Sequence, residues 1–155
     1  MTQAAGGGPD VFIEEATEAT PEVIAAIQGL VPQLSRSAAV PTDAEVAEIV
    51  NSPATVLLLA RDGASGDIVG SLTLVLFRIP TGLRAWIEDV VVAEAGRRRG
   101  IGESLTRAAL QRAEAAGART VDLTSRASRE AANRLYHRVG FRLRDTNVYR
   151  YSREG

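Results

Sequence analysis

The sequence contains no cysteine. Disulfide bonds, thiolate zinc sites, iron–sulfur clusters and a catalytic thiol are therefore excluded, and with them acyl transfer through a cysteine. All 18 basic residues are arginine, and without lysine the chain has no Schiff-base nucleophile, no lysine-anchored pyridoxal phosphate and no P-loop. His137 is the only histidine, which is too few for a histidine metal cluster. We expect no metal cofactor.

No apolar run approaches the roughly 20 residues that a membrane-spanning helix needs. The N-terminus also lacks the basic start and long apolar stretch of a signal peptide. Aromatic residues make up only 5% of the chain and are not interleaved with the arginines, as a surface for single-stranded nucleic acid would require. We therefore expect a cytoplasmic protein that binds neither membranes nor nucleic acids.

The length of 155 residues favours one domain with a substantial core, and 45% hydrophobic and 24% charged residues are typical of a globular protein. Residues 1–9, which include Gly6-Gly7-Gly8, have no apolar period and predict a flexible tail. No linker rich in proline, glycine or serine divides the rest, so residues 10–155 are predicted to form a single domain.

Charge is divided unevenly along the chain. Residues 1–96 contain 13 acidic residues and 4 arginines, a net charge of −9, whereas residues 97–155 contain 6 acidic residues and 14 arginines, a net charge of +8. Such asymmetry favours an anionic ligand for the second part, although solvated basic helix faces would give the same pattern.

Apolar periodicity predicts strands and helices in an α+β order. The predicted strands are Val11–Glu15, Thr55–Ala60, Ile68–Phe77, Leu83–Ala93, Val121–Thr124 and Asn147–Tyr151. The predicted helices begin at Thr20-Pro21, at the capping-box pair Thr42 and Glu45, near Ile101 and near Ser128. The second to fourth strands are expected to form an antiparallel meander within a mixed sheet that has helices on both faces.

The sharpest feature is the passage from the strand end Val90-Val91-Val92 into a helix through Arg97-Arg98-Arg99-Gly100-Ile101-Gly102. Glycines let the backbone approach a ligand, and the first turn of a helix presents unpaired N–H groups at its positive end, where a phosphate or pyrophosphate can bind. The alternative interpretation is an ordinary glycine-containing helix start with solvated arginines.

This passage resembles the acetyl-CoA pyrophosphate signature of the GNAT family of N-acetyltransferases, Gln/Arg-x-x-Gly-x-Gly/Ala, with Arg97, Gly100 and Gly102 at the defining positions. Leu135-Tyr136 and Gly140-Phe141 are similar to the Leu-Tyr-x-x-x-Gly-Phe helix end of that family. The resemblance implies a mostly antiparallel mixed sheet with a splayed central strand pair. A dinucleotide-binding interpretation fails, because the Gly-x-Gly-x-x-Gly motif is absent.

The resemblance also implies that acetyl-CoA is the cosubstrate. Backbone groups of Val90, Val91 and Val92 would pair with pantetheine, and an N–H of Val91 or Val92 would polarise the thioester carbonyl. The family's asparagine early in the last helix is missing, and either Asn133 or Arg129 is expected to replace it. The pyrophosphate would be held by the residues of the turn and the first helical turn, Arg97, Arg98, Arg99, Gly100, Ile101, Gly102 and Glu103.

The family's usual chemistry is direct attack of a primary amine on the thioester in a ternary complex, which agrees with the absence of cysteine. Tyr136 corresponds to the tyrosine that protonates the leaving thiolate in many members. His137 adjoins it but points about 100° away on a helix, so we expect it to have a surface or packing role.

Before attack, an ammonium group must lose a proton, so a carboxylate is expected near the strand gap. Glu88 is the candidate base or amine-binding group, because strand alternation predicts that it shares one face with Trp86 and Val90. Asp89 and a water molecule are the alternatives for the base.

The sequence leaves the acceptor open between a small-molecule amine and a peptide amine. Arg78, Arg84 and Arg126 are candidates for binding an acidic acceptor, with plain exposed charge as the alternative for each. A homodimer through the late strands is a further expectation without a residue to support it. A function of another class, a module that binds or senses acyl-CoA without turnover, fits the same motifs.

Overall fold

The computed structural model of the protein describes residues 2–3 and 11–153. These residues fall into two compact units, the first ending at Thr124 and the second beginning at Ser125. The predicted tail, residues 1–9, lies outside the described residues except for Thr2 and Gln3, which pair with Ile13 and Phe12. The single domain over residues 10–155 stays a prediction.

The first unit is built on one sheet, which has six strands among the described residues, in the order β1-β2-β3-β4-β5-β6. All neighbouring pairs are antiparallel except β5 and β6, which are parallel. This confirms the predicted mixed, mostly antiparallel sheet. The strands are β1 (Thr2–Gln3), β2 (Val11–Glu15), β3 (Thr55–Asp62), β4 (Ile68–Ile79), β5 (Gly82–Val92) and β6 (Thr120–Asp122).

Helices α1 (Pro21–Leu34) and α2 (Asp43–Asn51) cover one face of this sheet. Thr20 caps α1 by accepting the Val23 N–H at 3.2 Å, and the predicted capping box of α2 is present between Thr42 and Glu45. The two helices bury Val23, Ile27 and Val46 against alternate residues of β3, Leu57 and Leu59. This cluster is the hydrophobic core of that face.

Helix α3 (Ile101–Ala115) covers the opposite face. A Cβ atom at Gly70 would lie only 3.2 Å from Ile101 Cγ2 and 3.3 Å from Leu105 Cδ1, so the helix packs directly on the backbone of β4. Gly70 is paired with Ala60, the residue that follows Leu59, and alternation therefore puts it on the other side from α1 and α2. Helices on both faces are thus confirmed.

The second unit contains helix α4 (Glu130–Val139) and the segment 140–153. The strand predicted over Asn147–Tyr151 is wrong, since no residue of the described segment 140–153 joins a ladder. A strand forms only where a neighbour supplies hydrogen bonds, and within the described part of the second unit this segment has no such neighbour. Leu143, Tyr149 and Tyr151 are instead 90%, 88% and 93% exposed.

Candidate active site

The parallel pairing of β5 and β6 covers only one end of β5. It joins Arg84 to Thr120, Ala85 to Val121 and Trp86 to Asp122, where β6 ends. Strand β5 continues to Val92, and over residues 87–92 the edge that faces away from β4 has no strand partner within the described part of the chain. The open edge lies where the family resemblance implies that the central strand pair splays apart.

A β-bulge interrupts β5 beside this open edge. Glu88 is paired with Thr73 and Val91 with Ser71, so that two residues of β5 oppose the single residue Leu72. One of the two, Asp89, has a φ of 51°, a left-handed conformation that aspartate tolerates better than most residues. The strand register shows no other irregularity between β4 and β5.

The bulge corrects one prediction from the sequence. Uninterrupted alternation puts Val90 on the face of Trp86 and Glu88, whereas the observed register puts Val91 there, because its partner Ser71 shares a face with Thr73. Glu88 and Asp89 are both exposed. Periodicity alone could not have revealed the bulge, although a short polar residue directly before a run of valines was a signal for it.

The backbone direction after the bulge distinguishes Val91 from Val92, the two residues whose N–H could polarise the thioester carbonyl. The Ala93 N–H bonds to the Val69 carbonyl of β4 at 2.8 Å. Because successive residues of a strand direct their N–H groups to opposite edges, the N–H of Val92 points to the open edge and that of Val91 towards β4. Val91 is also buried, as expected for a core side chain.

Trp86 orients the carboxylate of Glu88. The indole Nε1–H donates to Glu88 Oε1 at 2.7 Å, a short distance typical of a hydrogen bond to an ionised group. The two residues lie two positions apart on the same face of β5, where such a contact needs no distortion of the strand. One carboxylate oxygen is therefore held beside the bulge. The role of Trp86 was not apparent from the sequence.

The turn between β5 and α3 is a short 3₁₀ helix, Glu94–Gly96, followed by residues in unusual conformations. Arg98 has a φ of 67° and Gly100 a φ of 71°. Gly100 occupies the N-cap position of α3, where it offers no side chain, and the first helical bond runs from Ser104 N–H to the Gly100 carbonyl at 3.0 Å. No heavy atom lies within 4 Å of the position that a Cβ at Gly100 would occupy.

These features fit a pyrophosphate. The N-terminal N–H groups of a helix carry partial positive charge and have no intrahelical acceptor, so they bind an anion where no side chain caps them. Arg97 and Arg98 are exposed beside this helix start, whereas the side chain of Ile101 is buried in the core. Gly102 adds no side chain, and Glu103 accepts a hydrogen bond from Arg107 at 3.1 Å.

Arg99 differs from its two neighbours. Its guanidinium donates to Asp62 Oδ2 at 2.8 Å, and Asp62 also accepts the Ala64 N–H at 2.8 Å. These hydrogen bonds, that from Arg99 first, lower the pKa of the Asp62 carboxyl below its ordinary value. The side chain of Arg99 thus anchors the loop to the turn between β3 and β4. Sequence reasoning had not found Asp62, which lies 37 positions away.

The other end of the loop is tied to α1. Gln33, in the last turn of that helix, accepts the N–H of Glu94 at 3.1 Å through its side-chain oxygen. This contact was also not apparent from the sequence, because 61 positions separate the two residues. The loop is therefore held at both ends while its centre, Arg97 and Arg98, stays exposed.

In the second unit, the Leu-Tyr-x-x-x-Gly-Phe spacing is explained by the end of α4. Gly140 has a φ of 115°, its N–H bonds to the His137 carbonyl at 3.1 Å, and the Phe141 N–H bonds to the Tyr136 carbonyl at 2.9 Å. This is a Schellman motif, which needs glycine at the left-handed position. The rings of Tyr136 and Phe141 meet edge to face, with centroids 5.7 Å apart.

Tyr136 is partly buried, and His137 is exposed. Burial raises the pKa of the Tyr136 hydroxyl, and the positive charge of Arg129 acts in the opposite direction. The hydroxyl is therefore protonated at neutral pH and able to donate a hydrogen bond.

Asn133 and Arg129 occupy different positions around the start of α4. Asn133 Nδ2 donates to the Arg126 carbonyl at 2.9 Å and so stabilises the turn that precedes the helix. Arg129 is the N-cap residue, makes no side-chain cap hydrogen bond and is exposed. With its amide nitrogen engaged, Asn133 has less freedom than Arg129 to contact a ligand.

The described residues contain neither a metal-binding cluster nor a membrane-spanning helix. No three or more His, Asp or Glu side chains there come close enough together to hold a metal ion. No helix of the described part is long and apolar enough to cross a membrane.

The profile of the acetyltransferase (GNAT) family matches residues 24–141. No curated protein matches the chain in sequence. Among solved structures, a protein described as an acetyltransferase from Agrobacterium tumefaciens is similar to this chain, with a TM-score of 0.80 and 25% identity over 91% of this chain and 99% of that one.

Two further structures share the fold at lower identity. The first is AAC(6')-Iy in complex with a bisubstrate analogue, CoA-S-monomethyl-acetylneamine, with a TM-score of 0.74 and 18% identity over 92% of this chain and 98% of that one. The second is glucosamine-6-phosphate N-acetyltransferase from Arabidopsis thaliana, with a TM-score of 0.75 and 20% identity over 91% and 97% of the two chains.

Proposed function

The chain belongs to the GNAT family of acetyltransferases, and from this premise we propose that it transfers the acetyl group of acetyl-CoA directly to a primary amine in a ternary complex. Membership of the family makes it a transferase that uses acetyl-CoA. One observation supports the finer proposal. The open edge of β5 leads directly into the loop before α3, and no side chain caps the N-terminal N–H groups of that helix. One extended ligand with amides at one end and a pyrophosphate at the other matches both.

The cosubstrate supplies an activated acetyl thioester, and the chain supplies the contacts that hold it. The open edge at Val92 pairs with the amides of pantetheine, as an unpaired strand edge does with any extended amide. The N–H groups of Ile101 and Gly102 hold the pyrophosphate, and Arg97 and Arg98 add positive charge. Arg129, at the start of α4, is the proposed contact to a phosphate in place of the family's asparagine.

Three groups of the chain carry the transfer. Glu88, directly or through one water, accepts a proton from the ammonium group of the acceptor, and the neutral amine forms the new C–N bond. The backbone N–H of Val92 donates to the carbonyl oxygen as negative charge develops on it. Tyr136 donates the hydroxyl proton to the sulfur as the C–S bond breaks, and the second proton that the amine nitrogen loses as the amide forms returns, through solvent, to the tyrosine oxygen. The absence of cysteine supports this direct route over an acyl-cysteine intermediate.

The acceptor that we propose is a primary amine of a small molecule or a peptide. The location in the cytoplasm, the homodimer and the absence of nucleic-acid binding stay predictions from the sequence.

The proposal is tested first by calorimetry with acetyl-CoA. We expect saturable binding that is strongly weakened by Gly102→Glu, because a carboxylate would enter the pyrophosphate site. The absence of any heat or thermal shift at millimolar acetyl-CoA would refute the proposal.

The second test measures free thiol released from acetyl-CoA in the presence of a panel of primary amines. Release above the rate without amine supports the enzyme. Tight binding of acetyl-CoA without release by any amine would instead identify a module that binds acyl-CoA without turnover. Glu88→Gln and Tyr136→Phe are the matched variants, since both should keep the affinity for acetyl-CoA and lose turnover.

A further inference from the structure

Arg84, Trp86 and Glu88 form a row on one face of β5. Their partners on β4 are alternate residues of that strand, Phe77, Val75 and Thr73. Partners in an antiparallel pair share a face, so the three side chains project to the same side of the sheet. A cation, an indole and a carboxylate thus follow one another at intervals of about 6.6 Å between Cα atoms.

A small groove lies at the arginine end of this row. It has a volume of about 220 Å³ and is lined by Thr81, Gly82, Leu83, Arg84, Arg119 and Thr120. The chain brings Arg119 there through its backbone N–H, which bonds to the Leu83 carbonyl at 2.9 Å. A Cβ at Gly82 would lie 3.0 Å from Arg119 Cδ, so the arginine stem lies across the glycine. Sequence reasoning had not connected Arg119 with Arg84.

Among the described residues, the two arginines of the groove have no carboxylate partner. Neither Arg84 nor Arg119 forms an ion pair among the described residues, and the polar contact that Arg84 makes is to Thr81 Oγ1 at 3.3 Å. In contrast, several other arginines of this unit pair with carboxylates, namely Arg61, Arg99, Arg107 and Arg112. Two guanidinium groups beside one groove repel each other, and an anion between them removes that repulsion.

The remaining polar groups of the groove suit the same ligand. The hydroxyls of Thr81 and Thr120 can donate to an oxyanion, and guanidinium groups bind carboxylates and phosphates through paired N–H groups. The nearest carboxylate in the strand register, Asp122, is opposite Trp86 and forms no ion pair with Arg84 within the described chain. The only charged residues that line the groove among the described residues, Arg84 and Arg119, are therefore both positive.

We propose that the groove binds the anionic group, a carboxylate or a phosphate, of an acceptor whose amine lies at Glu88. This inference rests on the proposed function. Arg84 and Glu88 are four positions apart, about 13 Å between Cα atoms, so the acceptor is an elongated molecule with opposite charges at its two ends. The indole of Trp86 lies between them and contacts its middle. An extended peptide of four residues with a free C-terminus has this length.

The first experiment tests whether the groove binds an anion, without any acetyl transfer. The protein alone is titrated with inorganic phosphate, and binding is followed by the fluorescence of Trp86, the only tryptophan, and by thermal stability. Phosphate can also enter the start of α3, so the comparison between variants is the readout. We expect Arg84→Gln and Arg119→Gln each to reduce the phosphate response, and Arg78→Gln to leave it unchanged. Arg78 is the matched control, since it is exposed in the same hairpin but does not line the groove.

The second experiment connects the groove with the acceptor. Tetra-alanine and tetra-alanine amide, which differ only in the C-terminal charge, are compared in the thiol-release assay. We expect KM to be about tenfold lower for the free acid, as for the loss of one charge-assisted hydrogen bond. Arg84→Gln and Arg119→Gln should remove this difference, so that KM becomes equal for the two peptides.

The outcomes separate this inference from the proposed function. Thiol release with any amine, but no effect of Arg84→Gln and Arg119→Gln on phosphate or on the peptide pair, would overturn the inference and leave the acetyltransferase intact. A phosphate response that depends on both arginines, without a difference between the peptides, would overturn the link to the acceptor. No thiol release with any amine would refute the proposed enzyme. The phosphate titration would still show whether the groove binds an anion.

Discussion

Gly100→Ala is the variant that most directly tests the pyrophosphate site at the start of α3. Gly100 has a φ of 71°, and no heavy atom lies within 4 Å of the position of a new Cβ. Alanine therefore meets no clash in the protein, but its left-handed backbone costs about 1–2 kcal/mol. The lower entropy of the unfolded chain with alanine offsets part of this, which leaves a loss of about 1 kcal/mol.

For a chain of this size, a loss of about 1 kcal/mol lowers Tm by roughly 2–4 °C. If the open space beside Gly100 holds the pyrophosphate, the new methyl group also occupies space that the ligand needs. We then expect the Kd for acetyl-CoA to rise at least about tenfold, which corresponds to ~1.4 kcal/mol. Differential scanning calorimetry measures the first effect and titration calorimetry the second.

The matched control is Gly117→Ala, beyond the opposite end of the same helix. Gly117 has a φ of 87° and equally open surroundings, so the backbone strain is the same. The helix end there presents carbonyl groups, which do not bind an anion. Gly117→Ala should lower Tm as much as Gly100→Ala and leave the affinity for acetyl-CoA unchanged. Equal affinities of the two variants would refute the assignment of the pyrophosphate to the start of α3.

The remaining predictions concern chemistry and stability. Glu88→Gln should lower kcat by about 10²-fold or more, as for loss of a general base, while Asp89→Asn should have a small effect; steady-state thiol release compares them. Tyr136→Phe keeps the ring contact with Phe141 and so should keep Tm, but should lower kcat at saturating substrates. The pKa of Asp62 is lowered in the folded state, so its stabilising contribution is present above the unfolded pKa of about 3.9 and is lost as the pH falls through the lower folded value. Thermal unfolding between neutral and acid pH should therefore show a smaller acid-induced loss for Asp62→Asn than for the parent, and equal losses would contradict the role of the Arg99 contact.

Local signals in the sequence predicted most of the first unit. The cap at Thr20 and the capping box at Thr42 mark helix starts that the structure has at the expected positions. Both depend on contacts within three residues, so that no distant partner is needed. The glycine at 140 also has a local explanation, because the Schellman motif closes within six residues of chain.

Contacts between distant residues are what the sequence could not predict. The pairs of Arg99 with Asp62, Gln33 with Glu94 and Arg119 with the Leu83 carbonyl join segments that only the folded sheet brings together. The bulge at Asp89 is of the same kind, since it is a property of two strands in register and not of one. Its consequence, the position of Val91 on the face of Glu88, reversed the prediction from alternation.

The strand predicted over Asn147–Tyr151 shows that the residues of one segment do not by themselves establish a strand. Its valine and two tyrosines favour a strand, but a strand is stable only with a neighbour, and the residues of one segment cannot say whether a neighbour is present. Leu143, Tyr149 and Tyr151 therefore remain exposed in the described structure.

The sequence by itself determined the chemistry that is absent and the helix start that suits a pyrophosphate. Missing cysteine and lysine exclude covalent routes through a thiol or a lysine amine without reference to any fold. The tertiary structure decided which groups lie near one another. It leaves the edge of β5 open beyond Trp86, directs the Val92 N–H to that edge and places Arg84 and Arg119 beside one groove. The physical reason is range, since caps and turns act over a few residues, whereas strand register and shared grooves depend on segments far apart in the chain.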